Sequence, residues 1–463
     1  MKRVKLLLKN LVIIFLLIFV GIIIYGKIHS NNNPNVYLYM YGILVTTTVL
    51  FTFFISSYGY KDLSEEIIKN NIKDNNKNVK NNKGKTNIQN EKKPLISCIL
   101  AVYNEEFVIR KCVDSLINST YENKEIIVVN DCSKDRTKEI LKEYNSKITV
   151  INLSKNVGKK KAIAEGIKIS KGDIYVFTDS DTVVEKDAIE KCVEIFIHYP
   201  NVGSVSGHVG VMNSHENFLT KIQDSWYETQ FSVKKATEST FGAVSCVSGP
   251  LALFRREAIY NYIPAWQNDT FLGQEFRFAT DRQLTGYVLG QKYIGKDLKK
   301  KYADSPFVKE IDYEEKEWKI VYCKSAKAYT VVPNTLNKLL KQHTRWKKSF
   351  IRNLFFTGSF YWRKNPIIVT RYYLGIMFTL VGPLIAARHI LYLPAYGSIW
   401  SPVLYLTGIM VIGTLYGFMA KINNPKSDTW KYRPFMSILS TLVVSWLLFY
   451  AIITMKKSVW YRG

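Results

Sequence analysis

The chain has 463 residues, 47% hydrophobic and 14% aromatic, enough for about three average domains and for a large core or membrane region. Its 64 Lys and Arg against 38 Asp and Glu give a net charge of +26. That excess suits anionic lipid or phosphorylated substrates; without zinc-finger spacing or a basic recognition helix, nucleic acid is not an expected partner. The six cysteines, at 98, 112, 132, 192, 246 and 323, form no C-x-x-C pair, which argues against a disulfide framework or zinc site and for reduced thiols.

Residues 1–9 are basic, and residues 11–25 and 36–56 are almost wholly apolar. Each run is near the ~20 residues that span a bilayer. A signal peptide is the alternative for the first, but no small-residue cleavage site follows and a second span does. Lys2, Arg3, Lys5 and Lys9 are expected in the cytoplasm, and two crossings bring the chain back there. Residues 62–93, rich in Asn and Lys, read as a solvated tether.

From Pro94 strands and helices alternate. Strands are expected over 95–103, 125–130, 148–153, 174–177, 202–211 and 320–332, with helices after 104–106, over 158–169 and over 218–239. Repeated βα units imply a parallel, doubly wound sheet. Asn104, Glu105, Asp131, Asp179 and Asp181 all fall just past strand ends. Any one could be a cap or turn residue, yet ligands bind beyond the carboxyl ends of such strands. Asp179 and Asp181 are the sharpest case. Two carboxylates one residue apart can hold a hard divalent cation on a diphosphate, although an isolated D-x-D is more often a solvated acidic turn.

Residues 292–319 read as a surface insertion. Residues 334–356 have Leu336, Leu339, Leu340, Trp346, Phe350 and Leu354 at helical spacing among basic residues, which suggests a helix lying at the membrane interface. Apolar segments follow at 367–386, 400–420 and 434–455. Five simple spans would leave Lys456, Lys457 and Arg462 outside, against the charge bias, so 434–455 is expected to re-enter or lie in the interface. The expected organisation is two membrane helices (1–60), a linker (61–93), a catalytic domain (94–333), interface helices (334–364), and a C-terminal membrane region with a terminal loop (365–463).

Several motifs occur in order: Tyr103-Asn-Glu105, Asn130-Asp-Cys-Ser133, Asn156-Val-Gly-Lys159, Asp179-Ser-Asp-Thr182, Ser248-Gly-Pro-Leu251, Phe271-Leu-Gly273, Thr280-Asp-Arg-Gln-Leu-Thr285 and Gln342-His-Thr-Arg-Trp346. Each is weak alone. Together, with a Q-x-x-R-W before membrane segments, they resemble the processive family-2 glycosyltransferases, most of all the hyaluronan synthases, with chitin and chitooligosaccharide synthases close by. The resemblance implies a GT-A-like α/β domain inserted between transmembrane helices of a multi-pass protein at the plasma membrane, with the catalytic domain cytoplasmic. It implies Mg²⁺ or Mn²⁺ on Asp181 and Asp179, and a UDP-sugar donor bound by Tyr103, Glu105, Asp131, Lys159, Asp179 and Arg282. Trp460 and Arg462 would belong to a closing loop.

By the same resemblance Asp281 is the general base, while Gln342, Arg345 and Trp346 serve donor phosphate and acceptor sugar. Away from that context, Trp346 reads as an interfacial anchor and Arg345 as a lipid-facing cation. The expected activity is processive, inverting polymerisation of UDP-GlcNAc and UDP-GlcA into hyaluronan or a similar polysaccharide. The growing polymer is the acceptor, and a monomer exports it through its own channel in the bilayer. The family has Gly-Asp-Asp-Arg where this chain has Ala279-Thr-Asp-Arg282, and Tyr461 departs from the terminal motif. Three alternatives therefore stand: a chitin-type synthase using UDP-GlcNAc alone, a transferase of single sugars to a lipid phosphate, and an inactive membrane protein that binds polysaccharide.

Overall fold

The computed structural model describes residues 36–80 and 93–457. The first apolar run, Trp460 and Arg462 lie outside the described residues. The described residues divide into two compact units, one of residues 61–80, 93–220, 241–366 and 447–457, the other of residues 36–60, 221–240 and 367–446.

The first unit is built on an eight-stranded sheet with strand order β3-β2-β1-β4-β7-β6-β10-β5. The strands are β1 (Ile96–Val102), β2 (Lys124–Asn130), β3 (Thr149–Asn152), β4 (Ile174–Phe177), β5 (Thr182–Val184), β6 (Val202–Val211), β7 (Ala252–Arg255) and β10 (Lys319–Thr330). A small hairpin pairs β8 (Thr270–Phe271) with β9 (Gln274–Glu275). β3, β2, β1 and β4 are parallel as expected. β7 and β5 are not: β7 runs antiparallel to β4 and β6, and β5 antiparallel to β10. The all-parallel expectation therefore fails in the second half of the sheet. The chain enters β7 from the rim where β4 ends, so β7 must run away from that rim.

Helices cover both faces of the central strands, which is why those strands read as nearly unbroken apolar runs. Cys98, Leu100 and Val128 join the helices Ile109–Ile117 and Ala188–His198 in one core. On the opposite face Gly166, in the helix Lys159–Ile169, meets Ile99 so closely that a Cβ would fall 2.6 Å from the isoleucine Cγ2.

The linker expectation needs correction. Leu63–Lys80 is helical, and its Ile67 is buried in the core that includes the Ala188–His198 helix. Asp62 fastens its start: one carboxylate oxygen accepts from the Ser64 N–H (3.1 Å) and the other from the Ser325 N–H (2.7 Å). Leu63, one helical turn before Ile67, packs against the same core, and these two apolar residues dock an otherwise polar segment, which composition alone does not reveal.

The second unit is helical. Val36–Phe54, Pro366–Ala387 and Ser401–Asn423 lie close to the expected apolar runs. The helix from Phe218 is regular to Thr229 and continues through a π segment, Gln230–Lys235. Residues 221–240 belong to this unit, not to the α/β unit in which 94–333 placed them. Within it Val233 packs with Val49, Phe53, Leu415 and Met419. Asn423 Nδ2 donates to the Ser232 carbonyl (3.0 Å), and Arg371 pairs with Glu238 (3.1 Å).

Among the described residues four stretches are long and apolar enough to cross a membrane: Tyr41–Lys73, Pro366–Ala395, Ser401–Asn423 and Thr429–Ile453. The last is not one continuous α-helix. It breaks after Arg433–Leu442, passes through a 3-10 turn at Val444–Trp446 and resumes at Leu447–Ile453.

Candidate active site

The carboxyl ends of β1, β2 and β4 form one rim. Val102 and Asn130 are register partners, so Tyr103, Asn104 and Asp131 emerge side by side. Asn104 and Cys132 adopt positive φ, 53° and 63°, which turns both chains sharply. The two loops then latch reciprocally. The Asn104 N–H donates to Ser133 Oγ (3.0 Å), and Asn104 Oδ1 accepts from the Lys134 N–H (2.8 Å). The Glu106 N–H donates to Asp135 Oδ2 (3.1 Å), and Glu106 Oε2 accepts from the Arg136 N–H (3.0 Å). The Glu105 N–H donates to Thr137 Oγ1 (2.9 Å). Asn104 thus acts as a turn residue, while the Glu105 carboxylate accepts from Ser180 Oγ (3.2 Å) and supports the D-x-D turn.

Asp131 is buried and binds backbone: its two oxygens accept from the N–H groups of Val157 (2.7 Å) and Gly158 (2.9 Å). Burial raises its pKa, against the pull of those two N–H groups and of Arg277. Gly158, at φ +88°, precedes the helix Lys159–Ile169 and aims Lys159 back at the rim. A pocket here is lined by Tyr103, Asp131, Asn156, Lys159 and Arg277, among others. The sequence reading missed Arg277. It is fixed by an ion pair to Glu275 (3.0 Å), which also pairs with Lys161 (2.6 Å).

The acidic half of the rim is arranged differently. Lys159 Nζ forms an ion pair with Asp179. Burial works against the Lys159 charge, but Asp179, then Asp281 and Asp181, outweigh it and raise the ammonium pKa. One cation therefore sits in the field of three carboxylates. Burial, then the Asp179 charge, pushes Asp181 up to about 6; its Oδ1 accepts from Thr330 Oγ1 (3.3 Å). Gly249 completes the cluster. Its N–H points at Asp281 Oδ2 (3.4 Å), and a Cβ on it would fall 2.9 Å from Asp179 Oδ2. Only glycine lets the Ser248-Gly-Pro turn pass between those carboxylates.

Asp281 heads the helix Thr280–Lys301, entered through Ala279 at φ 62°. Its Oδ1 takes the Arg282 N–H (2.9 Å), and both residues are half-buried. Thr280, where the family pattern has an acid, contributes its carbonyl to Trp266 Nε1 (2.9 Å).

Gln342, Arg345 and Trp346 lie on the helix Leu336–Phe356, which begins with Thr335 capping the Lys338 N–H. Gln342 Oε1 is buried without a hydrogen-bond partner. Trp346 meets His343 edge to face at 4.8 Å, and burial pushes His343 down to about 4. Lys348 lies over Phe278 (5.7 Å), three residues before Asp281.

A second group was missed. Lys160 Nζ donates to Asp269 Oδ2 (3.1 Å), the Phe276 carbonyl (3.0 Å) and Gln283 Oε1 (2.6 Å), and Arg352 donates to Asp269 Oδ1 (2.6 Å). Lys160 sits inside a run of three lysines with nothing in the sequence to mark it. Among the described residues, no three His, Cys, Asp or Glu side chains form a ready metal cluster.

Residues 97–263 match the family described as Glycosyl transferase family 2. Hyaluronan synthase 3 of Xenopus laevis is 24% identical over 415 residues, 80% of this chain and 68% of its own length. An N-acetylglucosaminyltransferase of Azorhizobium caulinodans is 28% identical over 376 residues, 79% of this chain and 87% of its own. The hyaluronan synthase of Streptococcus pyogenes is 26% identical over 376 residues, 79% and 82%. A solved mannosyltransferase of Pyrobaculum calidifontis, in complex with GDP-Man and Mn²⁺, aligns at TM-score 0.49 and 17% identity over 79% of this chain and 87% of its own. Residues 97–263, within the α/β unit, thus form a family-2 glycosyltransferase domain, and the chain is a membrane glycosyltransferase similar to hyaluronan synthases and N-acetylglucosaminyltransferases.

Proposed function

We propose that the chain is a processive, inverting β-glycosyltransferase that polymerises UDP-GlcNAc and UDP-GlcA into hyaluronan or a similar polysaccharide. The observation that carries this reading is the gathering of Asp179, Asp181 and Asp281 around Lys159 at the ends of the central strands. In the proposal, Tyr103, Asp131 and Arg277 receive the nucleoside in the pocket they line, and Lys159 faces its phosphates.

Asp179 and Asp181 fit a hard divalent cation. They are oxygen donors one residue apart, Asp179 paired with Lys159, and burial together with the Asp179 charge raises the Asp181 pKa. Such an ion takes one or two carboxylates and completes its shell with substrate phosphates and water. Mg²⁺ or Mn²⁺ bound there would neutralise charge on the departing diphosphate.

Asp281 accepts the proton of the acceptor hydroxyl as that oxygen attacks the anomeric carbon. A single displacement inverts the centre, so an α-linked donor yields a β-linked product. Arg345 offers a planar cation to phosphate oxygens, Trp346 offers a ring face to the acceptor sugar, and Gln342 brings a buried carbonyl that lacks a partner. Arg282 adds a further cation beside Asp281, and Trp460 and Arg462 complete the closing loop. The apolar helices carry the product out across the plasma membrane, with the α/β unit in the cytoplasm. The interruption at residues 443–446 supports a last segment that does not cross as a simple span.

A second reading, a chitin-type synthase, is favoured by the N-acetylglucosaminyltransferase relative. The deciding experiment supplies the purified chain with UDP-GlcNAc, UDP-GlcA or both, with Mn²⁺ or Mg²⁺. Polymer only with both donors supports the hyaluronan reading. Polymer from UDP-GlcNAc alone replaces it with the chitin-type reading, and a product one sugar long ends the processive reading.

A further inference from the structure

The geometry points to Asp269 as a positioning residue: a buried carboxylate that sets the donor-side lysine helix, the Asp281 helix and the Gln342–Trp346 helix in register for transfer to the acceptor. It rests on the proposed sugar-transfer reading.

Asp269 is 5% exposed and uses both oxygens on cations from distant parts of the chain, Lys160 (3.1 Å) and Arg352 (2.6 Å). Lys160 follows Lys159, the residue paired with Asp179. The same Lys160 reaches Gln283, two residues beyond Asp281 and buried. Arg352 is seven residues, about two helical turns, beyond Arg345 and on the same side of its helix. It is clasped by Phe271 (5.6 Å) and Phe356 (5.2 Å). The Asp269 carbonyl accepts from the Phe276 N–H (2.8 Å), closing the β8–β9 hairpin beneath Lys160. Each of the three functional segments thus has one side chain on this node, and none of the node residues belongs to the expected site.

A buried ion pair is weak evidence for stability, because desolvation offsets its attraction. Its directional bonds do fix distance and angle, and an acceptor displaced by about 1 Å can cost about 10²-fold in rate. If the node sets that alignment, weakening it should let water compete for the bound donor while donor binding persists. A purely structural role would lower the folded yield and leave that partition unchanged.

The test uses the purified full-length chain in lipid nanodiscs. Nucleotide released and sugar incorporated are measured together for wild type, Asp269→Asn and Arg352→Gln, each normalised to folded protein. The expected result is a kcat for sugar transfer about 10- to 100-fold lower, a donor KM changed by less than about threefold, and less sugar incorporated per nucleotide released. Arg352→Lys, which restores charge without the fork, should recover part of that ratio. If Asp269→Asn does not fold, Arg352→Gln decides. A wild-type ratio and kcat in the folded variants overturn the inference. Wild type that consumes no nucleotide sugar would instead overturn the proposed function.

Discussion

The two halves of the strand-end rim carry the same kinds of residue and do different work. At β1 and β2 the polar groups are spent on backbone: Asp131 on Val157 and Gly158, Asn104 on Lys134, Glu106 on Arg136. At β4 and the Asp281 helix, Asp179 pairs with Lys159, and Asp281 and Asp181 add their fields to the same ammonium. A carboxylate whose oxygens accept from backbone N–H groups builds a loop. A carboxylate crowded by its own kind is costly to keep ionised, and a proton or a cation relieves that cost.

The comparison can be broken at its strong end first. Asp281→Asn should lower sugar transfer by about 10²- to 10⁴-fold, read as nucleotide release per folded molecule; near-normal turnover would remove Asp281 as the base. Asp181→Asn should weaken Mn²⁺ binding in the presence of UDP by about tenfold or more, followed by electron paramagnetic resonance. In wild type that affinity should fall as pH drops through about 6, where Asp181 takes up a proton. The sign for the metal-free protein is opposite. A carboxyl group whose folded pKa is raised contributes stability below its unfolded pKa, and that contribution is lost as pH rises through about 6.

The latched half should respond more mildly, and through folding. Asp131→Asn leaves one acceptor oxygen for two N–H groups, a cost of about 1–3 kcal/mol, seen as a lower thermal midpoint with weaker UDP binding. Glu106→Ala removes one acceptor from an exposed latch and should cost about 0.5–1.5 kcal/mol with turnover per folded molecule unchanged. A large loss of turnover there would erase the distinction between the halves.

Much of the α/β unit was legible because its strands alternate with helices and are apolar on both faces: β1, β2, β4 and β6 fall close to their expected limits. The rim was legible because D-x-D, Asp131 and Lys159 each follow a strand or open a helix. The reversal of β7 was not, since four residues of Ala252–Arg255 carry no sign of direction. Nor was the docking of Leu63–Lys80, which rests on Ile67 meeting a core made elsewhere. Residues 221–240 looked like an ordinary amphipathic helix, and only their partners assign them to the helical unit.

The amino-acid order alone determined six of the strands, the apolar helices and which carboxylates stand at strand ends, because these follow from periodicity and local turns; the short strands β5, β7, β8 and β9 were not marked. Tertiary structure alone decided which charges meet. Lys160, Asp269 and Arg352 are more than eighty residues apart at each step, and their bonds form only when the sheet, the β8–β9 hairpin and the Leu336–Phe356 helix are packed together. The reason is physical: a charge is identified locally, but its partner is set by the distance and burial that folding creates.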